Sequence, residues 1–325
     1  MYQKNKINTP FISIIVVNYN GRQYLERTIP ALHKIKYPYF DITVVDNGSD
    51  DGSIEYISSY NNITIIKSPR YKEKNFACNY AIKRSKGEFI LLLDNDIILV
   101  DTEILRKLLD FFHKSTNPGA IGLAVHDEGI PKSSRYGSYF GYYFIKEVKK
   151  YHLEQIKILH GIRVPATGGQ IFIEKNLWEK IGGYDDHLKF GGDDNDLGIK
   201  LTILGYNNYL YSETNQLHIG LNERTDNIKY RQKFSDMFYA HLFTMTKNYR
   251  LKNLLPSLII YTGFTFLKAI KQSFQRSDIG PFLSFFKGLN LYIINLKINI
   301  EKRKTIQKMR VVKDDIYLKM LPPRI

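Results

Sequence analysis

Two carboxylates stand two residues apart in Asp94-Asn95-Asp96, directly after an apolar run. Hard divalent cations prefer oxygen ligands, and Mg²⁺ or Mn²⁺ typically takes one or two carboxylates and fills its other positions with phosphate and water. A cation held in this way would neutralise the charge that grows on a departing diphosphate. Exposed turns use the same residue types. The triplet alone therefore leaves a metal site and a plain turn both open.

A second acidic segment begins at Asp46, where another apolar run ends, and continues to Asp50 and Asp51. A carboxylate at the end of a strand can accept hydrogen bonds from a base N–H or a ribose hydroxyl. The sequence Asn-Gly-Ser-Asp-Asp-Gly that follows is also a strong turn signal. A nucleoside contact and a structural turn both remain possible here.

Three acids within four residues follow two glycines in Gly191-Gly192-Asp193-Asp194-Asn195-Asp196. Like charges at this spacing raise one another's pKa, and a carboxylate with raised proton affinity could act as general base toward a hydroxyl. Acids also cap helices, because they face the positive end of the helix dipole. Capping explains one or two acids better than three, which favours a catalytic interpretation.

His218 is the one imidazole that follows this cluster within a short distance, in Gln-Leu-His-Ile-Gly. A neutral imidazole is a common metal ligand. A lone histidine beside apolar residues is also commonly just packed in a core. Taken by itself, the residue favours packing.

The residues around these side chains predict alternating strands and helices. Apolar, β-branched runs predict strands, and apolar residues at helical spacing predict helices. Strands are predicted over residues 12–17, 41–45, 63–67, 89–93 and 171–173, and helices over 24–32, 54–60 (capped by Ser53), 75–85, 176–181 and 196–204; the pattern between 119 and 173 is irregular. Continuous apolar strands alternating with helices indicate an α/β fold whose mostly parallel sheet is covered on both faces.

Open sheets of this kind bind ligands beyond the carboxyl ends of their strands. The polar segments 18–21, 46–53 and 94–96 each follow a predicted strand. We therefore expect them to line one crevice.

Positive charge is concentrated at one end of the chain. The 325 residues carry a net charge of +15, of which residues 224–325, with 20 basic and 6 acidic residues, contribute +14. Such asymmetry indicates an anionic partner, and basic helices rich in aromatic and aliphatic residues can lie in a bilayer interface. No nucleic-acid-binding motif accompanies the charge. A solvated basic tail and a helical unit packed on the rest of the protein are the alternatives.

Three further features limit the class of protein. The single cysteine, Cys78, excludes an internal disulfide framework and a cysteine-based zinc site. The apolar run 11–17 ends in polar residues without a small-residue cleavage site, so we interpret it as a strand and not a signal peptide. The longest later apolar run, 254–267, contains Pro256 and Gly263, and we expect it to be interfacial or packed and not membrane-spanning.

Taken in order, these segments resemble the family 2 glycosyltransferases, particularly their rhamnosyltransferase-like branch. The resemblance covers roughly residues 10 to 220. It rests on Ser-Ile-Ile-Val-Val-Asn-Tyr-Asn at 13–20, Val-Val-Asp-Asn-Gly-Ser-Asp-Asp-Gly-Ser at 44–53, Asn-Phe-Ala-Cys-Asn at 75–79, Leu-Asp-Asn-Asp at 93–96, Thr-Gly-Gly at 167–169, Gly-Gly-Tyr-Asp at 182–185, Asp-Asp-Asn-Asp-Leu at 193–197, and His218. The fold it implies is the type A nucleotide-sugar-binding domain, over residues 1–223, with a helical, basic module over 224–325.

The resemblance also implies roles for individual residues. It assigns nucleoside or donor contacts to Asn18, Asp46, Asn79, Asp94, Gly168 and Gly169. It assigns metal ligation to Asp96 and His218, the catalytic base to Asp194, and acceptor contacts or support to Asp193 and Asp196. The family commonly has Glu-Asp where this chain has Asp193-Asp194, and a longer glycine-rich stretch before Asn79. These departures concern the acceptor contacts and the contacts of Lys74 and Asn75.

The activity that the resemblance implies is an inverting transfer of a sugar from a UDP- or dTDP-sugar to a hydroxyl of a saccharide or lipid-linked saccharide, with Mg²⁺ or Mn²⁺, in cell-surface glycan synthesis. We expect it to occur in the cytoplasm, on the inner face of the cell membrane, with an anionic membrane surface as a partner and no nucleic acid. The alternatives are a nucleotide-sugar nucleotidyltransferase and a non-catalytic sugar- or membrane-binding protein on the same fold. The nucleotidyltransferase would need a Gly-rich loop with Arg and Lys after the first strand, where this chain has Asn-Tyr-Asn-Gly-Arg at 18–22.

Overall fold

A computed structural model describes residues 9–130, 133–135, 137, 139–140, 146–147, 150–188, 191–220, 227–313 and 315–320. Its strands are β1 (Ile12–Asn18), β2 (Phe40–Asp46), β3 (Ile63–Lys67), β4 (Phe89–Asp94), β5 (Ile97–Ile98), β6 (Pro118–Asp127), β7 (Tyr139–Phe140), β8 (Lys146–Glu147), β9 (Ile171–Glu174) and β10 (Asn207–His218). Its helices are α1 (Arg22–Leu32), α2 (Ser53–Ser58), α3 (Lys74–Arg84), α4 (Ile104–Lys114), α5 (Leu153–Ile158), α6 (Lys175–Lys180), α7 (Asp193–Ile203), α8 (Asn227–Asn248), α9 (Leu251–Arg276), α10 (Gly280–Ile294) and α11 (Leu296–Met309), followed by the 3₁₀ turn Ile316–Lys319.

Eight strands form the central sheet in the order β3-β2-β1-β4-β9-β6-β10-β5. The first four of these strands are mutually parallel, and so are β6 and β10. Strand β9 runs antiparallel to both β4 and β6, and β5 runs antiparallel to β10. The predicted α/β class with a mostly parallel sheet is confirmed.

Helices cover both faces of this sheet. Successive side chains of β1 point to opposite faces, so Ile14 and Val16 pack in one cluster with α1, α2 and α4, while Ile15 and Val17 pack in another with α3, α6 and α7. Every residue of β1 is buried. This two-sided burial explains why the strand is continuously apolar in the sequence.

Most predicted elements agree with the structure to within one or two residues, but α2 differs from the prediction in its cap and α7 differs in its start. Ser53 is the first residue of α2 and not its cap, because Gly52 takes the N-cap position with φ +80°. Helix α7 begins at Asp193, three residues before the predicted start. The acidic cluster therefore forms the first turn of that helix. Strands β6 and β10, in the region of irregular or unassigned pattern, were not predicted.

The carboxyl-terminal helices share a core with the rest of the protein. Phe238, Leu242 and Met245 of α8 pack against Ile199 and Ile203 of α7. The structure therefore has α8 packed on the α/β domain, which was one of the alternatives for this region. The predicted boundary at 223/224 lies in 221–226, outside the described residues.

Helix α9 runs for 26 residues and continues through Pro256 and Gly263. Among the described helices, α9 is the one that is long and apolar enough to cross a membrane, judged by length and composition alone. Much of it faces away from the protein, since Ile259 and Leu267 are exposed. The interpretation of this segment as interfacial or packed, and not membrane-spanning, stays a prediction.

Candidate active site

Asn18, the last residue of β1, connects two of the polar segments at the carboxyl edge of the sheet. Its side-chain amide donates to Ser49 Oγ at 3.0 Å, and its Oδ1 accepts a hydrogen bond from Asn95 Nδ2 at 2.7 Å. The backbone N–H of Asp50 donates to Asn20 Oδ1 at 2.9 Å. The segments that follow β1, β2 and β4 therefore lie together, as the strand order requires.

Asp46 lies at the end of β2 beside a hollow of about 370 Å³. Its carboxylate accepts hydrogen bonds from the backbone N–H groups of Gly48 (3.2 Å) and Ser49 (3.3 Å). Gly48 has φ +95°, and an added Cβ would come within 2.7 Å of the Tyr71 ring. The hollow thus combines a carboxylate, turn amides and an aromatic ring; its lining includes Asp46, Gly48, Ser49, Asp50, Lys67 and Tyr71.

Asp96 and His218 face each other at the same edge, with His218 Nε2 at 3.2 Å from Asp96 Oδ2. The strand register brings them together, since His218 of β10 is opposite Ile97 of β5 on one side and Asp127 of β6 on the other. On its far side, His218 Nδ1 lies 2.8 Å from Asp127 Oδ1. Arg135 forms an ion pair with Asp127.

These contacts set the charge of the group. The hydrogen bond to Asp96 raises the pKa of His218. Burial alone would raise the pKa of Asp127, but Arg135 and His218 outweigh burial and hold it below its usual value. Asp127 is thus an anion that orients the imidazole, the arrangement in which a ligating histidine donates its other N–H to a carboxylate.

The Asp96–His218 pair fits a divalent cation that is shared with a substrate. Both side chains are partly exposed, and they offer one carboxylate oxygen and one imidazole nitrogen. Within the described parts of the chain, no group of three or more His, Cys, Asp or Glu side chains is placed to hold a metal ion. A cation here would take its other ligands from phosphate and water, as Mg²⁺ and Mn²⁺ commonly do.

Asp94 lies at the end of β4 in a second charged group. Lys74 Nζ, from the first turn of α3, is 2.7 Å from Asp94 Oδ1, and Gln170 Nε2 donates to Asp94 Oδ2 at 3.0 Å. Burial would lower the pKa of Lys74, but Asp94 and Asp193 outweigh burial and raise it. Lys74 therefore stands as a cation between the acids of β4 and those of α7.

The two glycines at 168 and 169 let the backbone pass close to this group. Gly168 has φ +82°, a conformation that L side chains rarely adopt. A Cβ on Gly169 would lie 3.1 Å from Asp94 Oδ2 and 3.9 Å from Lys74 Nζ. The structure thus places Gly169 beside Asp94, whereas a Cβ on Gly168 would lie 3.4 Å from the backbone nitrogen of Gly137.

Asp193 and Asp194 form the start of α7, where two left-handed glycines, Gly191 (φ +70°) and Gly192 (φ +81°), turn the chain into the helix. Burial raises the pKa of Asp193, and neighbouring Asp194 adds to this effect while Lys74 opposes it. The sequence predicted a raised pKa within this cluster, and in the structure the raised pKa belongs to Asp193. Asp194 is half-buried, and its Oδ1 accepts the backbone N–H of Asn195 at 2.9 Å.

Asp196 does not face the crevice. It is fully buried, with Oδ2 at 2.6 Å from Lys247 Nζ and Oδ1 accepting from Asn248 Nδ2 at 2.8 Å. Lys247 Nζ also lies 2.8 Å from Asp185 Oδ2, and Lys302 Nζ lies 2.7 Å from Asp185 Oδ1. Asp196 thus fastens α7 to α8, which agrees with the supporting role among its predicted roles and not with an acceptor contact.

Asn79 lies apart from the other predicted donor residues. Its amide donates to Tyr184 O and to Asp186 Oδ1, both at 2.8 Å, and its Oδ1 accepts the N–H of Tyr184. It lines a different hollow from Asp46, with Trp178 and Gly183. The predicted nucleoside contact is therefore not supported by its position, because these loop contacts occupy its polar atoms.

Several residues of these groups carried no predicted role, among them Lys74, Asp127, Arg135, Gln170 and Lys247. Lys74 and Gln170 each adjoin a motif that was recognised, so their proximity to Asn75 and Gly169 was an available signal. The others come from a strand that was not predicted, from the irregular region and from the basic carboxyl-terminal third.

Comparison with known proteins identifies the family. A profile described as "Glycosyl transferase family 2" matches residues 13–179, just over half of the chain. An uncharacterised glycosyltransferase of Rickettsia typhi is 28% identical over 199 residues, which cover 58% of this chain and 58% of the relative. The putative teichuronic acid biosynthesis glycosyltransferase TuaG of Bacillus subtilis is 31% identical over 91 residues, which cover 27% of this chain and 36% of TuaG. The matched parts thus span less than two thirds of these relatives.

Solved structures agree on the fold. The mannosyltransferase PcManGT from Pyrobaculum calidifontis, solved with GDP-Man and Mn²⁺, superposes with a TM-score of 0.54 at 14% identity, covering 88% of both chains. At this identity the likeness concerns the fold alone, and it confirms the predicted type A architecture. The rhamnosyltransferase-like branch stays a prediction. The matched profile, together with this fold, means that the chain belongs to glycosyltransferase family 2.

Proposed function

We propose that the protein transfers a sugar from a nucleotide-diphosphate donor to a hydroxyl of a saccharide acceptor, with inversion at the anomeric carbon. The observation that carries the proposal is the meeting of Asp96 and His218 at the edge of the sheet where Asn18 and Asp46 also lie. A cation-binding pair beside a nucleoside-sized hollow is the arrangement that a nucleotide-sugar requires.

The donor would lie along the carboxyl ends of β1, β2 and β4. Asp46 and the turn amides around it offer hydrogen-bond partners to a base or ribose, with the Tyr71 ring beside them. Asp94 lies further along, held by Lys74 and Gln170. We propose a UDP- or dTDP-sugar as donor, with GDP-sugars as the alternative that the PcManGT complex suggests.

A divalent cation, Mg²⁺ or Mn²⁺, would be held by Asp96 and His218. When bound, it would supply positive charge to the departing diphosphate. Asp127 keeps the imidazole oriented with Nε2 toward Asp96, and Arg135 keeps Asp127 ionised. The protein would thus supply two ligands, Asp96 and His218, that are already oriented toward each other before the cation binds.

Asp194 is the proposed catalytic base. It would take the proton of the acceptor hydroxyl while that oxygen forms a bond to the anomeric carbon. The bond from the anomeric carbon to the diphosphate oxygen breaks at the same time, and its electron pair leaves with the diphosphate. Asp193, with its raised pKa beside Lys74, would support the acceptor side of the site.

The acceptor would be a saccharide carried on a lipid, in cell-surface glycan synthesis at the cytoplasmic face of the membrane. TuaG is described as a putative teichuronic acid biosynthesis glycosyltransferase, which supports a cell-surface glycan as the product. Exposed apolar side chains on α9 and the net charge of +14 over residues 224–325 support peripheral binding to anionic lipid. Co-sedimentation with anionic liposomes at low salt tests this part, and absence of binding there would exclude it.

A donor screen tests the proposed reaction. Wild-type protein with Mn²⁺ and a panel of UDP-, dTDP- and GDP-sugars is expected to release nucleotide when a lipid-linked acceptor pool is supplied. Asp194→Asn should lower the rate by about 10²–10⁴-fold while nucleotide binding persists. The matched control is Asp110→Asn, an exposed aspartate on α4, which should retain the wild-type rate. Equal rates in Asp194→Asn and wild type would exclude Asp194 as the base.

A further inference from the structure

A groove of about 460 Å³ lies between α8 and α9 and has no part in the donor site. Its walls are mainly aromatic, with Phe234 from α8 and Tyr261 and Phe264 from α9. Two lysines, Lys233 and Lys268, also line it. We call it the α8–α9 groove.

The groove adjoins the turn that carries the proposed base. Met237, which lines the groove, is so close to Gly191 that an added Cβ would lie 3.3 Å from Met237 Cγ. A Cβ on Gly192 would lie 3.9 Å from Cδ2 of His241, another lining residue. Since Gly192 caps α7, the inner end of the groove lies beside the turn that directly precedes Asp193 and Asp194.

The other side of the groove continues onto an apolar surface. Phe264 lines the groove and is itself 52% exposed. Ile260 and Leu267, one turn before and after it on α9, are exposed as well. The groove therefore connects the base-bearing turn with the exposed apolar side of α9.

The chemistry of the lining selects one class of ligand. Small-molecule sites are generally lined by apolar and aromatic side chains with a few polar groups, as this groove is. An aromatic ring can also pack against the C–H face of a sugar ring. Lysine is a compact cation that commonly binds phosphate. An aliphatic chain would gain free energy on the exposed α9 side chains by leaving water. A saccharide joined through phosphate to a lipid has these three parts in this order.

We propose that the α8–α9 groove is the acceptor subsite and binds a sugar-phosphate or sugar-diphosphate lipid, with the sugar toward Asp194 and the phosphate between Lys233 and Lys268. This inference rests on the proposed function for its reaction, but binding of the acceptor requires neither donor nor turnover.

Direct binding tests the subsite. The probe is N-acetylglucosamine linked through diphosphate to a short prenyl chain, titrated into full-length protein in detergent without donor. Phe264→Ala and Lys268→Glu are expected to weaken the Kd at least tenfold each. Phe274→Ala and Lys271→Glu are the matched controls, because both residues are exposed on α9 outside the groove, and these should stay within twofold of wild type.

The outcomes separate this inference from the proposed function. Equal weakening in groove and control variants, or no binding by wild type, would overturn the subsite. Equal affinity for free N-acetylglucosamine and for the prenyl-diphosphate probe would overturn the assignment to a lipid phosphate. Mn²⁺-dependent binding of nucleoside diphosphate, measured in the same samples, reports on the donor site alone. Its absence would count against the proposed function and not against the groove.

Discussion

The proposed donor side and the proposed acceptor side of the site are built in different ways. On the donor side, Asn18, Asp46 and Asp94 are each the last residue of a parallel strand, so local sequence and strand order place them. On the acceptor side, α7 is held by Lys247, a residue 51 positions from Asp196 and 62 from Asp185. Lys302 reaches Asp185 across 117 positions.

The carboxyl-terminal helices therefore have a structural role, because they hold α7, the helix that carries the proposed base Asp194. Lys247, Asp185 and Asp196 are almost fully buried, and a buried ion pair is costly to break because the remaining charge is left unpaired. Variants on the acceptor side should therefore change stability first, whereas variants on the donor side should change ligand affinity. The predictions below test that contrast, in order of decreasing effect.

Replacement of Lys247 should have the largest effect. Lys247→Met leaves Asp185 and Asp196 without their shared cation and should lower the free energy of unfolding by about 3–5 kcal/mol. Urea unfolding of the full chain measures it. Lys287→Met, an exposed lysine on α10, is the control and should be nearly neutral. Similar losses in both variants would contradict a special role for the buried pair.

The loss of stability in Lys247→Met should also depend on pH. Burial would raise the pKa of Asp185, but Lys247, His187 and Lys302 hold it below the value in the unfolded chain. In wild type, the stability from this group is present above about pH 4 and is lost as pH falls below that value. In Lys247→Met burial prevails and the pKa rises, so the variant's deficit should be larger at pH 7 than at pH 4. A deficit that does not change with pH would contradict this assignment.

Asp127→Asn should weaken the metal site without unfolding the protein. Replacement of a residue that orients a metal-binding histidine typically weakens metal affinity by about 10–100-fold. Mn²⁺ titration in the presence of nucleoside diphosphate measures the change. Unfolding in urea should be altered much less than in Lys247→Met. A loss of stability with unchanged Mn²⁺ affinity would place Asp127 with the structural residues instead.

Lys302→Met should have the smallest effect. Lys302 is partly exposed, and Asp185 keeps Lys247 as a partner when Lys302 is removed. Its ion pair should contribute at most about 1 kcal/mol, as solvent-screened pairs do. Urea unfolding beside Lys247→Met measures it. A cost as large as that of Lys247→Met would mean that the network depends on both cations equally.

Much of the donor side could be predicted from sequence because the relevant signals are local. An apolar run followed directly by Asp46 or by Asp94-Asn95-Asp96 identifies a strand and the polar residues at its carboxyl end together. The parallel order of β1, β2 and β4 then follows from the alternation of strands and helices. Individual contacts did not follow, since Asn79 is used to hold the 184–186 loop.

The strands that carry Asp127 and His218 could not be recognised in the same way. Strand β6 contains Gly122, which interrupts the apolar run but is required, because a Cβ there would lie 2.3 Å from Thr167 O. Strand β10 contains buried polar residues that distant partners satisfy: Asn208 donates to Gly198 O at 2.9 Å, and Gln216 accepts from the Val100 N–H at 3.2 Å. Such pairings depend on the completed fold.

The acceptor side was predicted least. The acidic cluster was identified, but the sequence did not show that its three aspartates have different environments. Asp193 has a raised pKa beside Lys74 of α3, Asp194 is half-buried, and Asp196 is buried and paired with Lys247 of α8. The basic composition of residues 224–325 gave no indication that Lys247 would be one of the most buried side chains.

The central claim is that Asp96 and His218 jointly hold a cation together with a nucleoside diphosphate. Electron paramagnetic resonance of Mn²⁺, titrated into the protein with and without UDP or GDP, measures this directly. We expect tight binding only when the diphosphate is present, and a loss of at least tenfold in both Asp96→Asn and His218→Ala, with Asp110→Asn unchanged. Mn²⁺ affinity that is the same in wild type and in these two variants would contradict the account.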